Sequence, residues 1–305
     1  ARELALACVL SAELPYGALL PVCIVARAEE VSWQTQQGLK HKTCAILARK
    51  PFIRPAHFVR ANGYEPVSGV NEFSIDCRRV EANIQLVRDA IGDDCFISAL
   101  EDCFTAAAHQ FAYASAWNIT LGGVSLSNID LGAKVVDFGG VGSMPYWGAF
   151  GESAGSPLSN SALSSLATAL DDLFSDLRRY SSISTQKLSS AITRTHSAIA
   201  SSYYSRLHFE ILRVMGFTSR QSDLVLKSEN SKVLLGLERI KSQMARYAGD
   251  LDSSWGNQNG EVDVDHCELV EASVSLLSTS GCGNREEIAQ LAKRRRIFRK
   301  RSRPE

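Results

Sequence analysis

The stretch LGGVSLSNIDLGAKVVDFG, residues 121–139, decides how the rest of the chain is interpreted. Asn128 stands nine residues before Asp137, and Asp137 opens the tripeptide DFG. The residues between them are short, partly β-branched runs on either side of Gly132, a pattern that predicts a tight hairpin turning at that glycine. Such a hairpin places Asn128 and Asp137 at its two open ends.

Both of these side chains carry oxygen donors. Divalent cations that accompany nucleotide phosphates are bound by oxygen ligands, usually one or two from the protein and the rest from phosphate and water. Asn128 and Asp137 therefore predict the part of a nucleotide site that binds the phosphates and their divalent cation. The alternative interpretation is a structural hairpin, in which the aspartate caps a turn and the asparagine adopts a left-handed backbone.

Composition places the chain among ordinary globular proteins. Of its 305 residues, 45% are hydrophobic and 22% charged, and no apolar run is long enough to predict a membrane span. The balance of 33 basic and 33 acidic residues gives no overall signal for nucleic acid, and the basic run at 293–301 is typical of a solvated terminal extension. Eight cysteines without a C-x-x-C pair favour a reducing compartment, so we expect a cytoplasmic protein.

The order of predicted elements favours an α+β fold, with a small sheet lobe followed by a larger, mostly helical lobe and a nucleotide cleft between them. A glycine-rich loop is expected at 139–155 and a linker at 250–260. Two strands are predicted at 19–26 and 43–48, separated by a polar loop, 27–42. The spacing of apolar residues predicts helices over 1–14, 73–91, 95–117, 158–180, 184–216, 219–227 and 228–248.

Several segments, in order, resemble the selenoprotein O / YdiU family, whose protein-kinase-like members transfer AMP to hydroxyl side chains. Its divergent MchC-like branch, found in microcin maturation clusters, is similar in the loop that precedes DFG. The segments that carry the resemblance are RELA (2–5), LPV (20–22), TCAILAR (43–49), FIR (52–54), HF (57–58), GGVSLSN (122–128) and Asp137.

The resemblance implies a protein-kinase-like fold with a truncated sheet lobe. Residues 1–60 would be the remainder of the N-terminal lobe, 61–250 the helical C-terminal lobe with its catalytic loop at 121–139, and 251–305 a C-terminal extension with the basic tail. It implies ATP and Mg²⁺ or Mn²⁺ as cofactors, and a protein or peptide as the substrate that accepts AMP.

The resemblance also assigns roles to individual residues. Glu3 would pair with the lysine that binds ATP, Arg49 and Arg54 would contact the phosphates, and Asn128 and Asp137 would bind the metal. Guanidinium groups suit phosphate oxygens because they donate in a planar fork.

The chain departs from the family pattern where a catalytic base is expected. Leu121 and Ser127 stand where the family has a histidine and an aspartate, and a serine cannot accept a proton as a carboxylate does. The interval from Arg49 to Arg54 is also shorter than in the family. The alternative function is therefore a catalytically impaired scaffold that pairs with a partner enzyme in microcin-type peptide modification. Because the family's glycine-rich loop and ATP lysine would precede Ala1, we expect the sequence to belong to a longer protein.

Overall fold

The computed structural model describes residues 2–35, 38–61, 72–117, 119–121, 125–143, 161–249 and 272–277. Helices and strands are both present, so the α+β prediction is confirmed at that level. The predicted linker at 250–260 and the basic tail lie outside the described residues. The elements are α1 (Arg2–Glu13), β1 (Pro21–Thr35), β2 (Gly38–Arg49), a 3₁₀ turn (Pro55–Phe58), α2 (Glu72–Ala116), β3 (Ile119–Leu121), β4 (Val141–Ser143), α3 (Ser161–Tyr180), α4 (Thr185–Val214), α5 (Ser219–Lys227) and α6 (Ser231–Gly249).

Helix α2 consists of two helical stretches that meet at Gly92. This residue has φ 78° and ψ 163°, a conformation that interrupts the helix and that glycine adopts without a steric penalty. The break lies between the two helices predicted at 73–91 and 95–117. In the second stretch Ala107, Ala108 and Ala112 are fully buried, and the small side chains allow the neighbouring α4 to pack closely.

Strands β1 and β2 form an antiparallel ribbon that is longer than predicted. The segment 27–42, predicted to be a polar loop, continues both strands as far as the pair Thr35 and Gly38, beyond an irregularity between Ala26 and Glu30. Val22, Val25 and Ile46 are each more than half exposed, so this part of the ribbon has water on its faces. The strands are predicted only on the apolar runs 19–26 and 43–48, and a ribbon with exposed faces also pairs through polar residues, so its length was missed.

A second, shorter antiparallel pair joins β3 to β4, with Leu121 opposite Val141 and Ile119 opposite Ser143. The sequence predicts only irregular structure over 139–155, so the strand at Val141–Ser143 is a correction. Residues 144–155 lie outside the described part of the chain.

One apolar core joins α1, the 3₁₀ turn and helices α2 to α6. The hairpin that carries the candidate site belongs to the same core, because Ile129, Val135 and Phe138 are each at most 3% exposed. The site is therefore attached to the apolar core. Within the described ranges, no helix has both the length and the apolar character needed to cross a bilayer.

Gly17 lies in the turn between α1 and the ribbon, where its amide donates to the Leu14 carbonyl at 3.0 Å. Its φ is 73°, and a Cβ added there would lie 3.2 Å from the backbone oxygen of Ser11. We expect Gly17→Ala to lower the free energy of unfolding by about 2 kcal/mol, because a left-handed backbone costs an L-residue about 1–2 kcal/mol and the contact adds to it. Urea denaturation measures the change. Gly132→Ala is the control: its added Cβ meets only the Asp130 side chain and its φ is not left-handed, so a loss as large as that of Gly17→Ala would contradict this account.

Candidate nucleotide and metal site

The predicted hairpin is present. Ile129 and Val135 form an antiparallel bridge, and the Val136 amide donates to the Asn128 carbonyl at 2.8 Å. Asn128 and Asp137 consequently lie at the open end of one short hairpin, as its sequence predicts. The left-handed turn residue is Ala133, at φ 59°, and not Gly132.

The turn is stabilised by Asp130. Its carboxylate Oδ1 accepts from the Lys134 amide at 2.8 Å, and its backbone carbonyl accepts from the Ala133 amide at 2.9 Å. Aspartate commonly closes turns in this way, because its short side chain reaches backbone amides close by in the sequence. Asp130 is thus occupied in the turn, whereas Asp137 stands at the other end of the hairpin.

Asp137 is exposed and has a left-handed backbone, with φ 63°. Aspartate and asparagine tolerate this conformation better than most residues. Its Oδ1 accepts from the Gly139 amide at 3.1 Å, while the next residue, Phe138, is fully buried. The buried ring anchors the corner, and the corner presents the carboxylate to solvent.

Asn128 is oriented by a short chain of hydroxyl groups. The Ser127 hydroxyl donates to Asn128 Oδ1 at 3.0 Å, and Ser125 Oγ lies 2.7 Å from Ser127 Oγ. An amide oxygen has two lone pairs, so Asn128 Oδ1 retains one for a cation. Ser127, which stands at the base position of the family, acts here as a hydrogen-bond donor that fixes the asparagine.

Glu3 connects helix α1 to the DFG tripeptide and to the end of β2. Its Oε1 accepts from Arg49 at 2.8 Å, and its Oε2 accepts from the Phe138 amide at 3.2 Å. Arg49 also donates to the Leu19 carbonyl at 3.3 Å, and its guanidinium lies 6.0 Å from the centre of the Phe138 ring. The resemblance assigns Glu3 a lysine partner; among the described residues its cationic partner is Arg49.

Arg54 reaches the hairpin from the loop after β2. Its Nη1 donates to the Ser127 carbonyl at 3.0 Å, and its guanidinium lies 5.6 Å from the centre of the Phe52 ring. Its Nε is buried and has no hydrogen-bond partner among the described residues. A buried donor without a partner is costly, so this nitrogen is an unsatisfied polar group beside the hairpin.

The two arginines also line an open pocket of about 350 Å³. Of its three cationic side chains, Arg49 is paired with Glu3, and Lys50 and Arg54 make no ion pair with a described carboxylate, so the lining keeps a positive charge that suits an anion. The pocket combines these cations with apolar and aromatic surface, the composition expected of a site for a phosphorylated organic molecule. The lining residues are Leu47, Arg49, Lys50, Pro51, Phe52, Arg54 and His57.

The structure brings all six predicted site residues into one connected region. Glu3 and Arg49 bond to each other and, through Glu3, to the residue after Asp137; Arg54 bonds to the residue before Asn128. Lys50, Phe52 and His57 are additions to the predicted set. Sequence position could have pointed to them, because Lys50 and Phe52 stand between the two predicted arginines and His57 stands three residues after Arg54.

The donor set fits a hard cation that arrives with a nucleotide. Asn128 and Asp137 provide one amide oxygen and one carboxylate, and the phosphates and water complete such a coordination shell. Within the described part of the chain, no group of three or more His, Cys, Asp or Glu side chains is placed to hold a metal unaided.

The resemblance to the selenoprotein O / YdiU family rests on the residues quoted in the sequence analysis, because the comparisons with known proteins add no match to it. No protein-family model matches the chain, and no curated protein is similar to it at the threshold of significance.

Proposed function

We propose that this protein has a kinase-like fold, binds ATP with Mg²⁺ or Mn²⁺, and transfers AMP to a hydroxyl side chain of a protein or peptide. The observation that carries the proposal is the contact between the pocket and the hairpin. Arg49 and Arg54 line a cationic pocket and at the same time bond, directly or through Glu3, to the backbone beside Asn128 and Asp137.

The arginines would hold the phosphates in place for displacement. In the proposed reaction the acceptor oxygen forms a bond to the α-phosphorus, the bond from that phosphorus to the bridging oxygen breaks, diphosphate leaves, and the hydroxyl proton passes to solvent. Such a reaction depends mainly on positioning and on neutralising charge. Arg49 is fixed by Glu3 and Arg54 by the Ser127 carbonyl, so both guanidiniums are positioned before the ligand binds.

Ser127 would contribute by orientation and not by taking the proton. Its hydroxyl is directed to Asn128, and a serine hydroxyl is a poor base at neutral pH. Asn128 and Asp137 would hold a divalent cation, which would supply neutralisation of the phosphate charge and would make the acceptor hydroxyl more acidic. Transfer without a carboxylate at position 127 is therefore chemically reasonable, although slower than with one.

The second candidate function is a scaffold that pairs with a partner enzyme in peptide modification. The observation that favours it is Ser127 itself, because the hydroxyl that replaces the family's carboxylate is used in a hydrogen bond within the hairpin. The preserved arrangement of Arg54, Asn128 and Asp137 opposes it, since a scaffold has no chemical need for this set.

A labelling experiment separates these functions. The protein is incubated with ATP labelled either at the α-phosphate or at the γ-phosphate, with Mg²⁺ or Mn²⁺, alone and with cell extract as the source of acceptor. We expect covalent label from the α-phosphate only. Label from the γ-phosphate only would show phosphate transfer and contradict the proposal, and ATP binding without any label would favour the scaffold.

A further inference from the structure

His57 lies in the wall of the pocket, beside Arg54, and has no part in the function assigned so far. Its ring Nδ1 accepts a hydrogen bond from the Arg54 amide at 3.2 Å. In a neutral imidazole one nitrogen accepts and the other carries the hydrogen. With Nδ1 as the acceptor, Nε2 is the N–H donor, and it has no hydrogen-bond partner among the described residues.

The backbone of His57 is held from the opposite side. Its carbonyl accepts from Arg79 at 3.2 Å and from Asn83 at 3.0 Å, both on helix α2. The next residue, Phe58, is fully buried and packs edge-on against Phe96, also on α2, with 4.9 Å between ring centres. These contacts hold the backbone of His57 in place, and the hydrogen bond from the Arg54 amide to Nδ1 orients its ring.

The surroundings also keep the ring neutral. Burial, followed by the positive charges of Arg54 and Arg79, lowers the pKa of His57 below its ordinary value. The ring is therefore uncharged at neutral pH, with a hydrogen on Nε2. A neutral donor between cationic side chains adds a directed hydrogen bond without adding to their mutual repulsion.

We propose that His57 binds the phosphates of the nucleotide as a neutral Nε2–H donor, alongside the guanidiniums of Arg49 and Arg54. The proposal rests on the proposed function, because it names a further contact in the same site. It explains why a histidine lines a pocket that is otherwise built from cations and apolar surface. The Arg54 amide has a role in this arrangement, because its hydrogen bond to Nδ1 favours the tautomer with the hydrogen on Nε2.

Two substitutions separate ligand binding from support of the loop. His57→Asn places an amide oxygen near the position of Nδ1, so it keeps an acceptor for the Arg54 amide and removes the distal donor. His57→Gln places an amide N–H near the position of Nε2 and removes the acceptor. Both variants and the wild type are titrated with ATP in MgCl₂ and, separately, with inorganic triphosphate in place of ATP. Their thermal unfolding is also measured.

We expect His57→Asn to bind ATP and triphosphate about tenfold more weakly than the wild type, because a hydrogen bond to a charged acceptor is lost. We expect His57→Gln to remain within about threefold of the wild type, which is the range that imperfect placement of the amide allows. If His57→Asn weakens the binding of triphosphate as much as the binding of ATP, the contact is to phosphate and not to the base.

Two results would overturn the role of His57 while leaving the proposed function in place. In the first, the wild type binds ATP and His57→Asn binds it with the same affinity. In the second, both variants lose affinity equally, which would show a structural role. Absence of ATP binding in the wild type would overturn the proposed function and, with it, this inference. The outcomes are therefore distinguishable.

Discussion

Asp137→Asn is expected to weaken metal-dependent ATP binding by about 100-fold or more, because it removes the carboxylate that binds the cation. The substitution suits the local backbone. Asp137 has φ 63°, which asparagine tolerates, and an asparagine Oδ1 is able to keep the hydrogen bond from the Gly139 amide. The exposed side chain makes no other described contact that a change of charge would disturb. Alanine is a poorer choice, since a left-handed alanine adds about 1–2 kcal/mol of backbone strain.

The matched control is Asp130→Asn on the same hairpin. Asparagine at this position also accepts from the Lys134 amide, so the turn is preserved while one negative charge is lost. We expect ATP binding within about threefold of the wild type for this control, the size of effect typical of a remote charge in water. Wild-type affinity in Asp137→Asn, or equal losses in both variants, would contradict the assignment of Asp137 to the metal.

The largest expected effect on stability is that of Gln110→Leu. Gln110 is 1% exposed and lies on the buried half of α2. Its Oε1 accepts from the Tyr16 amide at 3.0 Å, and its Nε2 donates to the carbonyls of Gly17 at 3.1 Å and Ala133 at 2.8 Å. This one side chain therefore joins the end of α1 and the hairpin turn to the core.

Leucine fills a similar volume but cannot hydrogen-bond, so the Tyr16 amide and the Ala133 carbonyl lose these partners in a dry environment. Each buried polar group left unpaired costs about 1–3 kcal/mol, so the two together predict a fall of about 2–6 kcal/mol in the free energy of unfolding. Urea denaturation of the two proteins measures it. The Gly17 carbonyl contributes less, because it also accepts from the Val135 amide at 3.2 Å.

Gln85→Leu is the control on the same helix. Gln85 is exposed and donates to the exposed Asp89, so its loss is expected to change stability by less than about 0.5 kcal/mol. If Gln110→Leu also lowers the free energy of unfolding by less than about 0.5 kcal/mol, Gln110 does not hold the hairpin to the core. A fall in stability with unchanged ATP affinity at low temperature would show that the anchor supports the fold more than the site.

The hairpin was predictable because its signals are local. Short runs on either side of a glycine, followed by Asp137, require contacts only among residues that are near one another in the sequence. The helices were predictable for a similar reason, since apolar residues at three- and four-residue spacing form one face. The break in α2 coincides with Gly92, the residue best able to leave the helix there.

Other features depend on contacts that spacing does not reveal. The ion pair of Glu3 and Arg49 joins residues 46 positions apart, and the bond from Arg54 to the Ser127 carbonyl spans 73. The chemical suitability of these arginines for phosphate was evident from residue type, but their attachment to the hairpin required the folded chain. The sequence resemblance assigned Glu3 a lysine, and it gave no role to Lys50, Phe52 or His57.

The length of the β1–β2 ribbon was missed because strands were predicted only where apolar residues run together. Residues 27–42 are largely polar, so the sequence predicted a loop, yet 30–35 pair with 38–43 through backbone hydrogen bonds that polar residues make equally well. The strand at Val141–Ser143 was missed because adjacent glycines indicated irregular structure. In both cases backbone pairing with a partner strand outweighed the local composition.

ATP binding that requires a divalent cation tests the site at Asn128 and Asp137 most directly. Equilibrium binding of ATP to the wild-type protein is measured in MgCl₂, in MnCl₂ and with either cation removed by EDTA. We predict saturable binding of one ATP per chain with either cation and a loss of about tenfold or more in EDTA, since the phosphates and the hairpin oxygens share the cation. No binding under any condition, or the same affinity with and without a cation, would contradict the site at Asn128 and Asp137.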